Sequence, residues 1–162
     1  MRRNDYDVKD QNEILSIIER CDVCHVGMSG SNGIPYVVPM SFGYNHENGT
    51  ITFYFHCAGQ GQKLDFIKQN PHVCLQMDCA HRLITGEKAC DCTTEYESVI
   101  ADGTAEIVTD PSAKLEALTY LMRHYQGNGT FEFDDKIVQR TTVIKVTAQQ
   151  ISGKRKKLPQ QA

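Results

Sequence analysis

Tryptophan is absent from this 162-residue chain, and no apolar run approaches the roughly 20 residues that a membrane-crossing helix needs. Positive charge is not in excess either. Lys and Arg total 17 against 20 Asp and Glu, a formal net charge of −3, so no overall field exists to hold a polyphosphate backbone and nucleic acid is not expected as the main partner. The opening Met1–Asp10 lacks the apolar stretch of a secretory signal. These absences lead to the expectation of a cytoplasmic protein with no membrane partner.

An even cysteine set is missing too. Cys21, Cys24, Cys57, Cys74, Cys79, Cys90 and Cys92 make an odd seven, which with no export signal argues for reduced thiols rather than a disulfide framework. What is present is enough apolar side chain, 40% of the residues, for one real core. A single domain over 1–155 and a flexible tail over 156–162 are expected. The basic run Lys154-Arg155-Lys156-Lys157 reads as a solvated tail without a function.

Asp10 followed by Glu13 marks a helix start, and Ile14, Leu15, Ile17 and Ile18 supply its apolar face. Runs rich in Val, Ile, Tyr, Phe and Thr then read as six strands: Asp22–Met28, Ile34–Tyr44, Thr50–His56, His72–Asp78, Ser98–Thr109 and Thr141–Ile151. Asn32-Gly33 and Asn48-Gly49 close hairpins between the first three, giving an antiparallel meander. Pro35 and Pro39 remove ladder donors from the second strand, which predicts an edge, a bulge or a strand leaving its neighbour. Helices are predicted over Gln60–Asn70 and Ser112–Tyr125, the latter opened by Asp110-Pro111, with loops over 79–97 and 126–136. The fold class is mainly β: a small β-barrel with flanking helices.

The most informative segment runs from Phe53 to Asp65. A strand passes through Gly59 and Gly61 into a helix with Lys63 in its first turn, an order that builds an anion site from unpaired N–H groups, the helix dipole and a full charge. Leu64 stands where a dinucleotide fingerprint needs its third glycine, so a mononucleotide phosphate fits better. Taken alone, short glycine motifs of this kind are more often ordinary turns with a surface lysine. His56 ends the same strand, where an imidazole could deliver a proton to a bound substrate, although a structural histidine is the commoner case.

Two metal patterns are weighed and set aside. Cys21-Asp-Val-Cys24-His25 matches covalent haem attachment, but that chemistry follows export, and on a strand Cys21, Val23 and His25 would face opposite to Asp22, Cys24 and Val26. A zinc site from Cys21, Cys24, Cys90 and Cys92 is disfavoured by the tight Cys90-Asp-Cys92 spacing. No metal is assigned.

Ile34-Pro-Tyr-Val-Val-Pro-Met-Ser-Phe42, Tyr54-Phe-His-Cys57 with Gly61-Gln-Lys-Leu64, Asn70-Pro-His-Val73, Tyr96-Glu-Ser-Val99 with Gly103, and Leu121-Met-Arg-His-Tyr125 together resemble the nitroimidazole-resistance (Nim-type) branch of the pyridoxamine 5′-phosphate oxidase-like flavoproteins, over about Arg3 to Arg155. The resemblance implies a split-barrel homodimer binding FMN at the subunit interface. It implies that Val38, Pro39, Met40 and Ser41 lie along the flavin ring, that Lys63 grips the phosphate, and that Ser98 sits near the pyrimidine end. It places His56 close to flavin and substrate, and Arg123 and Tyr125 near the cofactor of the other subunit. The missing tryptophan argues against oxidation of pyridoxamine phosphate itself, and His25 stands where relatives commonly carry an arginine. The reading that follows is an FMN-dependent reductase of small, planar, electron-poor molecules such as nitroimidazoles, fed by an external electron donor. The rival is a non-catalytic flavin- or haem-binding sensor or store, which would use the same contacts.

Overall fold

In the computed structural model, which describes residues 4–31 and 33–157, the first helix, α1 (Gln11–Arg20), starts as expected: the Asp10 carboxylate accepts from the Glu13 N–H at 3.0 Å. Ile14, Ile17 and Ile18 are buried beneath it. Eight strands follow the same logic of alternation: β1 (Asp7–Val8), β2 (Cys24–Ser29), β3 (Pro35–Met40), β4 (Phe42–Glu47), β5 (Thr50–Cys57), β6 (His72–Ile84), β7 (Thr93–Val108) and β8 (Thr142–Lys156). The other helices are α2 (Gln62–Gln69), α3 (Pro111–Gln126) and α4 (Asp135–Arg140). No helix among the described residues is long and apolar enough to cross a membrane.

All pairings are antiparallel, in the order β3-β2-β6-β7-β8-β5-β4 with β1 on β8. The two outer strands, β3 and β4, are consecutive in the chain with only Ser41 between them. Neighbouring Cα atoms lie about 3.8 Å apart, so the opposite edges of the sheet must meet at Ser41. The sheet therefore curls into a barrel that is split along the β3–β4 seam, as the fold class required. Phe42, Phe53, Phe55, Leu75, Met77, Val99 and Val146 fill its interior. Pro35 and Pro39 sit on edge strand β3, and the chain leaves β2 for β5 beyond it, the outcome their missing donors foretold.

Several sequence expectations need correction. The stretch 34–44 is two strands at opposite edges, so the opening is two hairpins rather than one meander. Of the predicted hairpin turns, Asn48-Gly49 is confirmed by left-handed φ values of 51° and 79°, while Asn32 lies outside the described residues. The predicted loop 79–97 is mostly strand: β6 continues past an irregularity between Cys79 and Arg82 to Ile84, and β7 starts at Thr93. The stretch 126–136 holds the start of α4. Strand alternation begins only at Cys24, so Cys21 is buried while Val23 is 41% exposed, against the facing expected for 21–23.

The basic run is not a solvated tail. Lys154, Arg155 and Lys156 pair with Ser98, Glu97 and Tyr96, and residues 158–162 of the expected tail lie outside the described residues. Arg155 Nε donates to Glu97 at 2.6 Å, its Nη1 donates to Glu13 at 2.7 Å, and Arg20 donates to the other Glu97 oxygen. Burial pushes the Glu97 carboxyl up, but the two guanidiniums together outweigh it and hold it below the usual carboxylate range. A depressed folded value means stability that is present above the unfolded pKa of about 4.3 and lost as pH falls through the folded one. Glu97→Gln is thus expected to cost about 2 kcal/mol at neutral pH, below the ~3–5 of a fully buried pair because both arginines keep partial access to water. Thermal melts from pH 3 to 7 check this: the variant should lose less stability on acidification than the wild type.

Candidate functional site

Where the barrel is split, a cavity of about 490 Å³ opens between the seam, the end of β5 and a wall made by α3, the loop after it and α4. Its size is ordinary for a small-molecule site. Ser41 enters from the seam, His56 from β5 and Tyr125 from the last turn of α3. Leu121 and Met122 supply apolar surface, and Glu132 stands on the rim.

Each polar group is held by local chemistry. Alternation along β5 buries Phe53 and Phe55 and turns Tyr54 and His56 outward. Tyr54 stacks on Tyr120 of α3, with ring centroids 5.2 Å apart, whereas His56, two residues on, is exposed to the cavity. The Tyr125 hydroxyl donates to the Asp22 carbonyl at 2.7 Å and accepts from the Phe42 N–H at 3.1 Å, tying α3 to the first residue of β4. Asp134 caps α4, accepting from the Lys136 and Ile137 N–H groups at 2.8 and 3.2 Å.

The predicted anion turn follows directly from β5. Gly61 caps α2 with φ at 143°, a conformation that favours glycine, and no side chain caps the helix. Its carbonyl is taken by the Leu64 and Asp65 N–H groups, so the amides ahead of them have no acceptor within the helix. Lys63 is half-buried and close enough to Cys57 to oppose the upward push that burial gives that thiol, which sets the lysine beside the end of β5. Turn and cavity are neighbours, because Cys57 pairs with Thr142 and the adjacent Thr141 lines the cavity. A phosphate on the turn and a ring in the cavity are therefore within reach of one ligand.

Of the sequence candidates, Ser41, His56 and Tyr125 meet in this cavity. Val38 and Met40 turn their side chains into the core and Pro39 turns outward, so β3 can offer a ligand only its backbone edge there, free because β3 pairs with β2 alone. Ser98 lies on the outer sheet face between Asp78 and Lys154, away from the cavity. Arg123 lies over the Tyr120 ring and lines a second hollow with Glu19 and His46. The cysteines of the rejected metal patterns do not converge: Cys21 and Cys24 are in the core, while Cys90 and Cys92 sit on an exposed turn.

The sequence pattern of the family described as pyridoxamine 5′-phosphate oxidase matches residues 10–155. The chain belongs to the pyridoxamine 5′-phosphate oxidase-like family. Among solved structures of that fold, it is similar to a candidate 5-nitroimidazole antibiotic resistance protein from Bacteroides thetaiotaomicron, at 34% identity over 92% of this chain and 86% of that one, with a TM-score of 0.79. A flavocytochrome from Azotobacter vinelandii shares 22% identity over 98% and 73% of the two chains, TM-score 0.80. An FAD- and haem-binding protein from Mycobacterium smegmatis shares 14% over 97% and 77%, TM-score 0.79; both of these speak to the fold alone. Among proteins of curated function, none matches.

Within this pyridoxamine 5′-phosphate oxidase-like barrel, sequence reasoning missed the far wall of the cavity: Glu132, Phe133, Ile137, Val138 and Thr141. A signal was there in Asp134, an N-cap residue placed before Ile137 and Val138, but α4 is only six residues long.

Proposed function

We propose that the protein binds FMN and reduces small, planar, electron-poor organic molecules, nitroimidazoles among them, with electrons from an external donor. The observation that carries this reading is the adjacency of the uncapped, lysine-bearing α2 turn to a cavity that holds His56. The turn suits a single phosphate, and the free backbone edge of β3 suits the hydrogen-bonding rim of a ring system. When bound, the flavin would take up reducing equivalents and pass them to an acceptor.

The chain's own residues would do the rest. Lys63 and the first-turn amides of α2 would hold the phosphate. Leu121 and Met122 would exclude water from one side of the cavity, and Ser41 would fix the ring at the seam. His56 would deliver the proton that accompanies reduction. In a homodimer, Arg123 of a second copy, which faces another hollow within its own chain, would approach the cofactor.

The first test is the spectrum of purified protein: a yellow sample releasing FMN supports the reading, whereas a Soret band would replace it with haem binding. Anaerobic reoxidation of the reduced flavin by nitro compounds then separates a reductase from a store. Lys63→Ala should weaken FMN binding by roughly 10- to 100-fold, the value of one charge-assisted contact of about 1.5–3 kcal/mol. Unchanged retention, measured by titrating stripped protein with FMN, would remove Lys63 from the site.

A further inference from the structure

All seven cysteines are free thiols, and two of them are neighbours in space although they are distant in sequence. Cys21 ends α1, with its N–H bonded to the Ile18 carbonyl at 3.1 Å and its side chain only 1% exposed. Its thiol lies beside that of Cys79 on β6. Cys79 is half-buried, stands at the irregularity where β6 pairing lapses before Arg82, and also reaches the Ile17 carbonyl at 3.9 Å. Arg20 contacts both the Cys79 sulfur and Glu97, the cross-strand partner of Cys79.

This arrangement divides labour between the sulfurs. Cys79 has access to small solutes and the Arg20 guanidinium beside it. Cys21 is held as a thiol, because burial and the Cys79 sulfur both push it up. The remaining cysteines lack this combination of a neighbouring thiol and a neighbouring guanidinium; Cys57 has Lys63 near it, but burial still pushes its thiol up. Cys90 and Cys92 are exposed, but Cys90 bonds the Asp91 carboxylate and Cys92 the Lys88 carbonyl; Cys24 is wholly buried, and Cys74 faces the opposite side of its sheet.

We propose that Cys79 and Cys21 form a peroxide-oxidisable dithiol, with Cys79 the attacking and Cys21 the resolving sulfur. The Cys79 thiolate attacks one oxygen of hydrogen peroxide and the O–O bond breaks. The sulfur becomes a sulfenic acid, and the departing hydroxide takes a proton and leaves as water. Cys21 sulfur then attacks the sulfenic sulfur, its proton leaves with the hydroxyl as a second water, and the S–S bond closes. Two thiols lose two electrons and one peroxide gains them. The step needs no bound flavin, so it stands or falls separately from the proposed reductase activity.

The test treats the full-length protein with hydrogen peroxide, blocks residual thiols in denaturant and maps them by mass spectrometry. Blockable thiols should fall by two, with a Cys21–Cys79 cross-linked peptide that reductant reverses. In Cys21→Ser, which keeps the size of the buried group, Cys79 should persist as a sulfenic acid trapped by dimedone, and Arg20→Gln should slow oxidation of Cys79 several-fold. A cross-link joining other cysteines, or oxidation at Cys90 and Cys92 ahead of Cys79 in the unmutated chain, would overturn the proposal.

Discussion

Gly43→Ala is expected to destabilise the protein by about 3 kcal/mol or more, at the upper end of what overpacking a core does. Gly43 lies on β4 where α3 crosses it, opposite Tyr54 of β5. A Cβ at Gly43 would stand 2.6 Å from the Tyr120 carbonyl oxygen and closer still to the Leu121 N–H nitrogen. Those are backbone atoms in the middle of a sixteen-residue helix, so no side-chain rotation relieves the clash. The helix must lift, and Leu121, buried beneath it, loses part of its packing. Loss of chain entropy in the unfolded state returns only about 0.4–1 kcal/mol. For a domain of this length, a deficit of about 3 kcal/mol lowers the melting temperature by roughly 6–12 °C. Gly129→Ala is the control, since its added methyl group meets Phe131 at an ordinary 3.6 Å. Equal melting temperatures for the two variants would show that α3 does not rest on β4 as described.

The same crossing explains what could be read in advance and what could not. Features set by neighbours in sequence were legible: the Asp10 cap, the Asp110-Pro111 helix start, the Asn48-Gly49 turn and the break at Pro35 and Pro39. Features set by distant partners were not. The 79–97 hairpin arm runs beyond the core, so Arg82 and Glu95 face each other across it as an ion pair at 2.6 Å and leave no apolar alternation to detect. Arg155 belongs to a strand because Glu97, 58 residues earlier, needs a cation, yet locally it is one of four consecutive basic residues.

The site divides the same way. His56 and Lys63 lie within one strand–turn–helix unit, and their closeness follows from chain order. Ser41 joins them only because the sheet closes on itself, and Tyr125 only because α3 folds back over β4 and β5. Arg123 is only two residues from Tyr125 but points to another hollow, since positions two apart on a helix differ by about 200°.

Replacing His56 by alanine should leave FMN retention intact and lower kcat for nitro-compound reduction about 100-fold or more, the usual worth of a positioned proton donor. The separation follows from geometry. His56 faces the cavity from the last turned-out position of β5, whereas the phosphate turn lies beyond Cys57 and is built from backbone amides and Lys63. The imidazole is also dispensable to the fold, because the strand pairing of His56 with Val143 is made by backbone alone and the barrel core beside it is Phe55. Stability should therefore change little, and a loss of turnover cannot be charged to unfolding. The readout is the rate at which reduced, protein-bound flavin is reoxidised by a saturating nitroimidazole, with bound flavin quantified by absorbance in the same sample. A variant with full flavin occupancy and the wild-type rate would assign proton delivery to solvent, leaving His56 only as part of the cavity wall.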